Sequence, residues 1–74
     1  MKHYSEIIII DPTIRFGKPT IKGTRISVYD VLSLFASGMS LQEIIDDFPE
    51  LGVEEINAVF AYAADREQKL LNAS

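Results

Sequence analysis

The densest run of chemistry-bearing side chains is Lys18-Pro19-Thr20-Ile21-Lys22-Gly23-Thr24-Arg25. It places three cations and two hydroxyls around a glycine, whose missing Cβ lets backbone N–H groups approach an anion closely. Such a run can bind phosphate, carboxylate or a polyanionic strand. The spacing of a phosphate-binding loop is absent, so nucleotide binding is not expected. Lys18, Lys22, Thr24 and Arg25 are therefore the candidate DNA-binding residues. A plainer reading stands beside this one: Gly23 and Thr24 make a tight turn, and Arg25 pairs with a helix carboxylate.

Catalytic and metal-binding readings find less support. His3 is the sole histidine and lies close to the amino terminus. Asp46-Asp47 and Glu54-Glu55 are adjacent pairs, and neighbours on a helix point to different faces rather than to a shared ion. No serine is placed with a base, and there is no cysteine. The expectation is a non-enzymatic protein with no catalytic residue, no metal and no cofactor.

The elements that must hold the basic run can be read from periodicity. Ile7 to Ile10 is a run of β-branched residues closed by Asp11-Pro12, which reads as a strand ended by a turn. Four isoleucines in a row demand cover on both faces, and a chain of 74 residues can scarcely supply two layers. A second copy is the simplest cover, so Ile7, Ile8, Ile9 and Ile10 are candidate dimer-interface residues. Residues 12–26 follow an irregular path shaped by Pro12, Gly17, Pro19 and Gly23, with Ile21 and Ile26 inward and Lys18, Lys22 and Arg25 outward. A second strand is expected around Thr24 to Val28, paired with Ile7 to Ile10.

Three helices follow. Ser27 is an N-cap with Asp30 three residues on, and Val28, Val31, Leu32 and Phe35 keep helical spacing until Gly38 stops the helix. Ser40-Leu41-Gln42-Glu43 is a capping box, with Leu41, Ile44, Ile45 and Phe48 as the next stripe and Pro49 as its end. Gly52 caps a third helix lined by Ile56, Val59, Phe60, Ala63 and Leu70, running to about Asn72. Tyr29, Phe35, Phe48, Phe60 and Tyr62 sit at helical spacing, as core or interface residues do. The fold class is mainly α: a three-helix, helix-turn-helix-like bundle with a short N-terminal β-hairpin arm. Residues 1–74 form a single domain, with the arm at 1–26 and the helical core at 27–74.

Charge divides along the same line. Residues 1–26 carry five cations against two carboxylates, or +3, whereas residues 27–74 carry two against nine, or −7. A short second helix, a tight turn and a third helix is the outline of a DNA-reading motif, but Glu54 and Glu55 in the first turn of the would-be reader repel phosphate. The arm is the better anion site. The longest apolar run, Ile7 to Ile10, is too short to span a bilayer, and no signal peptide is evident, so no membrane association and a cytoplasmic location are expected.

The arm and helices together resemble a known family. Asp11-Pro12, Gly17-Lys18-Pro19, Ile21 and Gly23-Thr24-Arg25-Ile26, followed by Gly38, Ser40, Glu43-Ile44, Phe48-Pro49 and Leu51, resemble the signature of the family called domain of unknown function 433. The likeness covers about residues 7–66. Gly52 departs from it, standing where a Ser or Thr is expected. The resemblance implies prokaryotic, homeodomain-like proteins similar to VapB-type antitoxins, encoded beside a PIN-like ribonuclease toxin that holds a divalent metal on clustered carboxylates. Arg25 could hold such a carboxylate through two hydrogen bonds, with Arg66 as the rival donor. Helix three could instead lie in a toxin groove with Tyr62 as its anchor, making Tyr62, Arg66 and Lys69 the candidate partner-binding residues. The functional expectation is a dimeric antitoxin that binds a PIN-like toxin and its own operator DNA. The alternative is a stand-alone helix-turn-helix transcription regulator.

Overall fold

A computed structural model describes the backbone of residues 3–73 and the side chains as far as Lys69. The chain opens on a 3-10 turn, Tyr4–Glu6, and enters strand β1, Ile8–Ile9. It then loops through a second 3-10 turn, Arg15–Gly17, to strand β2, Thr20–Ile21. Helices α1 (Val28–Ala36), α2 (Leu41–Asp47) and α3 (Val53–Ala73) complete it. It is a mainly helical fold of three helices with a two-stranded antiparallel hairpin at its N-terminal end.

The hairpin differs in detail from the sequence expectation. The strand that pairs with β1 is Thr20–Ile21, in the register Ile8 with Ile21 and Ile9 with Thr20, and not Thr24 to Val28. The latter segment folds back on β2 instead: Thr20 bridges Ser27, and the Ile21 N–H donates to the Ile26 carbonyl at 2.9 Å. Gly23, with φ of 82°, turns the chain between these two stretches. A left-handed position there is open to glycine without the Cβ clash that other residues meet.

The helices begin and end where local chemistry dictates. The Ser27 hydroxyl accepts from the Asp30 N–H, and the Asp30 carboxylate accepts from the Ser27 N–H, a complete capping box on α1. Ser40 and Glu43 repeat it on α2. Gly38, with φ of 100°, ends α1 by letting its own N–H reach the Phe35 carbonyl. On α3 the Glu55 carboxylate accepts from the Gly52 N–H at 2.9 Å, which is half of a capping box, since glycine has no side chain to complete it.

The core gathers Ile7, Ile8, Ile21, Val28, Val31, Ile44, Leu51, Ile56, Ala58 and Val59. Ile7 and Ile8 are thus covered by their own chain, contrary to the expectation that all four isoleucines need a second copy. Pairing with β2 and the layer of α3 over the hairpin supply that cover, because the paired strand is shorter than the isoleucine run. Ile9 is half-buried and Ile10 is 61% exposed, so these two carry what remains of the interface argument. Tyr29, at 72% exposure, stands outside the core, which leaves the interface alternative of its core-or-interface reading. Leu70, assigned to the stripe of helix three, lies outside the described side chains. Among the described residues no helix is long and apolar enough to cross a membrane.

Candidate functional site

The loop between the strands is built from two turns of opposite hand. The first begins at Asp11, whose carboxylate accepts from the Thr13 N–H at 2.9 Å and from the Thr13 hydroxyl at 2.7 Å. Those two donors hold the Asp11 carboxyl below its usual range, the hydroxyl contributing most. The Ile14 N–H closes this turn on the Asp11 carbonyl. The second turn is left-handed through three successive residues: Arg15 at φ 50°, Phe16 at φ 58° and Gly17 at φ 81°. Only the last is glycine. A left-handed residue with a side chain costs about 1–2 kcal/mol through the approach of its Cβ to the following carbonyl.

One side chain fastens the strained turn to the helices. An Arg15 guanidinium nitrogen donates to the Asp30 carboxylate at 2.9 Å and to the Arg25 carbonyl at 2.8 Å. Asp30 therefore serves two structures at once, the cap of α1 and the loop. Burial works against its charge, but the Ser27 N–H, the Arg15 guanidinium and the Ser27 hydroxyl together outweigh that effect and hold the carboxyl below its usual range. Phe16, the residue after this anchor, projects into solvent at 99% exposure.

The cations named from sequence lie on the same arm. Lys18, Lys22 and Arg25 are exposed, and among the described residues none of them forms an ion pair. The carboxylate expected for Arg25 is taken by Arg15 instead. Thr24 leaves the anion-binding set: its hydroxyl donates its one proton to the Ile21 carbonyl at 2.8 Å and accepts from the Ile26 N–H at 3.0 Å, so it makes the turn. Sequence reasoning passed over Arg15 and Phe16. The signal for Phe16 was a large apolar residue in an irregular stretch between two prolines, with no periodic element to bury it.

The other cations belong to α3. Lys69 pairs with Asp65 one turn back at 3.2 Å, and the Tyr4 hydroxyl donates to the same carboxylate. The Asp65 carboxyl is held low by the Tyr4 hydroxyl first and Lys69 second, while the hydrogen bond to Asp65 holds the Tyr4 hydroxyl above its usual range. Tyr62 is half-buried, packed edge-on against Tyr4 with ring centres 5.6 Å apart, and the Arg66 guanidinium lies 5.8 Å from the centre of its ring. Tyr62 and Lys69 thus help tie the arm to α3. A groove of about 420 Å³ remains between the start of α1 and the late part of α3, lined by Pro19, Val28, Tyr29, Leu32, Tyr62 and Arg66 among others. A second groove, of about 390 Å³, lies between the first 3-10 turn and the early part of α3.

Among the described residues no three histidines or carboxylates stand close enough to share a metal ion. In the first turn of α3, Glu54 is exposed and Glu55 is engaged as a cap. The arm is therefore the most cationic part of the described surface, and the early face of α3 is acidic.

The chain belongs to the DUF433 family of proteins of unknown function, whose model matches residues 8–63. It is 38% identical over 58 residues to uncharacterized protein y4eO of Sinorhizobium fredii, a match that takes in 78% of this chain and 26% of that protein. The chain thus spans about a quarter of the length of that relative. Its fold is that of a DUF433 member protein from Anabaena variabilis known from a crystal structure, with a TM-score of 0.80 at 23% identity over 93% of this chain and 68% of the other.

Proposed function

We propose that this protein acts by binding rather than by turnover, as an antitoxin-like partner of a PIN-like ribonuclease that also binds operator DNA through its arm. The observation that carries the reading is the set of three exposed, unpaired cations, Lys18, Lys22 and Arg25, on the N-terminal arm of an otherwise acidic chain. A phosphate backbone or a carboxylate-lined nuclease site is the complement of such a surface. The partner itself comes from the likeness of the family signature to VapB-type antitoxins. The groove between α1 and α3, with Tyr29 exposed at its edge and Arg66 beside Tyr62, is the surface proposed for the ribonuclease. Ile9 and Ile10 are proposed to meet a second copy.

The stand-alone regulator is supported by the outline of α2, turn and α3. It is opposed by Glu54 and Glu55 at the start of α3, where a reading helix would meet phosphates.

The test is co-expression with the product of the adjacent gene. A stoichiometric complex in which ribonuclease activity falls is expected, together with sedimentation of the free protein as a dimer. An adjacent product that neither co-purifies nor loses activity would remove the antitoxin reading, and sequence-selective DNA binding in that same outcome would favour the regulator.

A further inference from the structure

Phe16 is a large apolar side chain that the fold does not use. It is 99% exposed, and no residue of the core packs on it. Its backbone stands at φ 58°, between a left-handed Arg15 and a left-handed Gly17. A glycine or asparagine would hold this turn with less strain and better hydration. Exposure of the ring and strain of the backbone both oppose stability, and the exposure is not offset by any packing inside the chain. Held by Arg15 on the Asp30 carboxylate and the Arg25 carbonyl, the turn is fixed rather than free to collapse. Strain kept in place by its surroundings is a mark of a functional site.

The ligand class follows from what stands beside the ring. Lys18 is two residues further on, and Arg25 is the residue whose carbonyl anchors the turn. Lys22 follows β2 at the other end of the hairpin, its N–H donating to the Ile7 carbonyl at 2.8 Å. All three side chains are exposed and unpaired among the described residues. An exposed aromatic ring on an arm that also carries exposed, unpaired cations complements a ligand with flat apolar surfaces strung on an anionic backbone. A nucleic acid has that chemistry, as bases stack on aromatic rings while cations hold the flanking phosphates.

We propose that Phe16 is the base-contacting tip of a nucleic-acid site, its ring seated on an unstacked base, with Lys18 and Arg25 on the nearby phosphates and Lys22 on a phosphate further along the strand. The proposal rests on the reading of the arm as an anion-binding surface and adds to it the contact with the base. An unstacked base occurs in a single strand and at a kinked step of a duplex, so both forms are candidates.

The experiment measures binding of the full chain to a short duplex and to its single strands, each carrying a fluorescent aminopurine base, with anisotropy read alongside base fluorescence. Phe16→Ala, Phe16→Tyr and the double variant Lys22→Glu, Arg25→Glu are compared with wild type. Circular dichroism and thermal melting confirm that each is folded, and the exposed ring leaves no core to disturb. Wild type is expected to bind and to change the aminopurine signal. Phe16→Ala should weaken binding by about five-fold or more and abolish the signal change, with Phe16→Tyr restoring both. The charge-reversal pair should abolish binding altogether. The form of nucleic acid that gives the signal change identifies the source of the base. Equal binding and equal signal for Phe16→Ala and wild type would overturn the role of the ring while leaving the basic arm standing. No binding by wild type to either form would overturn both. Loss of ribonuclease-partner affinity in Phe16→Ala, with nucleic-acid binding unchanged, would reassign the ring to a protein pocket and overturn the proposal.

Discussion

Helix α1 begins with its local preferences satisfied, whereas the loop at residues 11–19 that leans on it goes against two. Ser27 and Asp30 exchange hydrogen bonds at the helix start, and Val28 and Val31 are buried. In the loop, two residues with side chains are left-handed, and the second carries an aromatic ring into water. A single carboxylate, Asp30, joins the two regions, accepting from Ser27 on one side and Arg15 on the other. The difference teaches where stability is gained and where it is spent. The helices and hairpin supply the burial, and the loop is held in its left-handed form by the Arg15 hydrogen bonds while its aromatic ring stays outside the core.

Mutations can break that comparison at either end. The largest effect is expected in the core. Ile44 is fully buried, and Ile44→Ala should cost about 2–5 kcal/mol, enough to unfold much of so small a domain. Phe16→Ala should change stability by less than about 0.5 kcal/mol, since an exposed ring has no packing to lose. Urea denaturation of the two variants side by side measures the contrast. A similar loss at both sites would mean that the ring is part of the fold after all.

At the junction, Ser27→Ala should cost about 1 kcal/mol by removing the cap of α1. Thr20→Val is expected to have the opposite sign. Thr20 is buried and its hydroxyl has no hydrogen-bond partner among the described residues, so replacing it with a methyl of similar shape should stabilise by about 1 kcal/mol. A destabilised Thr20→Val would reveal a partner for that hydroxyl.

Acid should loosen the junction selectively. The Asp30 carboxyl is held below its unfolded value, near 3.9, so its contribution is complete above that pH and is lost as pH falls through the lower, folded value. Asp30→Asn should therefore flatten part of the acid dependence of stability below about pH 4. An unchanged acid profile in that variant would show that Asp30 is not the link. The smallest effect belongs to Phe16→Gly, in which relief of left-handed strain is offset by the added freedom of the unfolded chain. A net change within about 0.5 kcal/mol is expected from these opposing contributions, and a clear loss of melting temperature would argue that the ring supports the loop.

Much of the helical half was legible in the sequence because its signals are local. Ser27 with Asp30 and Ser40 with Glu43 name their own caps, and Gly38 and Pro49 name the ends. The hairpin partner was misplaced by a few residues because Thr20–Ile21 and Ile26-Ser27 pair with each other, and only Thr20–Ile21 pairs with β1. The strand was expected at the second stretch, and only the three-dimensional register decides which of the two meets β1. Of the site, Lys18, Lys22 and Arg25 were legible as cations clustered in sequence. Arg15 was not, because its role depends on a carboxylate fifteen residues away brought close by the turn at Gly23. Nor was the left-handed path of Arg15 and Phe16, since neither residue type favours it and tertiary anchoring imposes it. Tyr62 and Lys69 were expected to face a partner. The arm, folding back through Tyr4 onto Asp65, occupies that face.

The central claim is that the arm, not helix α3, is the anion-recognising surface. The most direct measurement is the salt dependence of binding to a labelled duplex from the region preceding the protein's own coding sequence. With Lys18, Lys22 and Arg25 each neutralising one phosphate, log affinity should fall against log salt with a slope of about −3. The slope should lose about one unit for each of these residues changed to alanine. A flat salt response, or a steep one that the three alanine substitutions leave intact, would contradict the account.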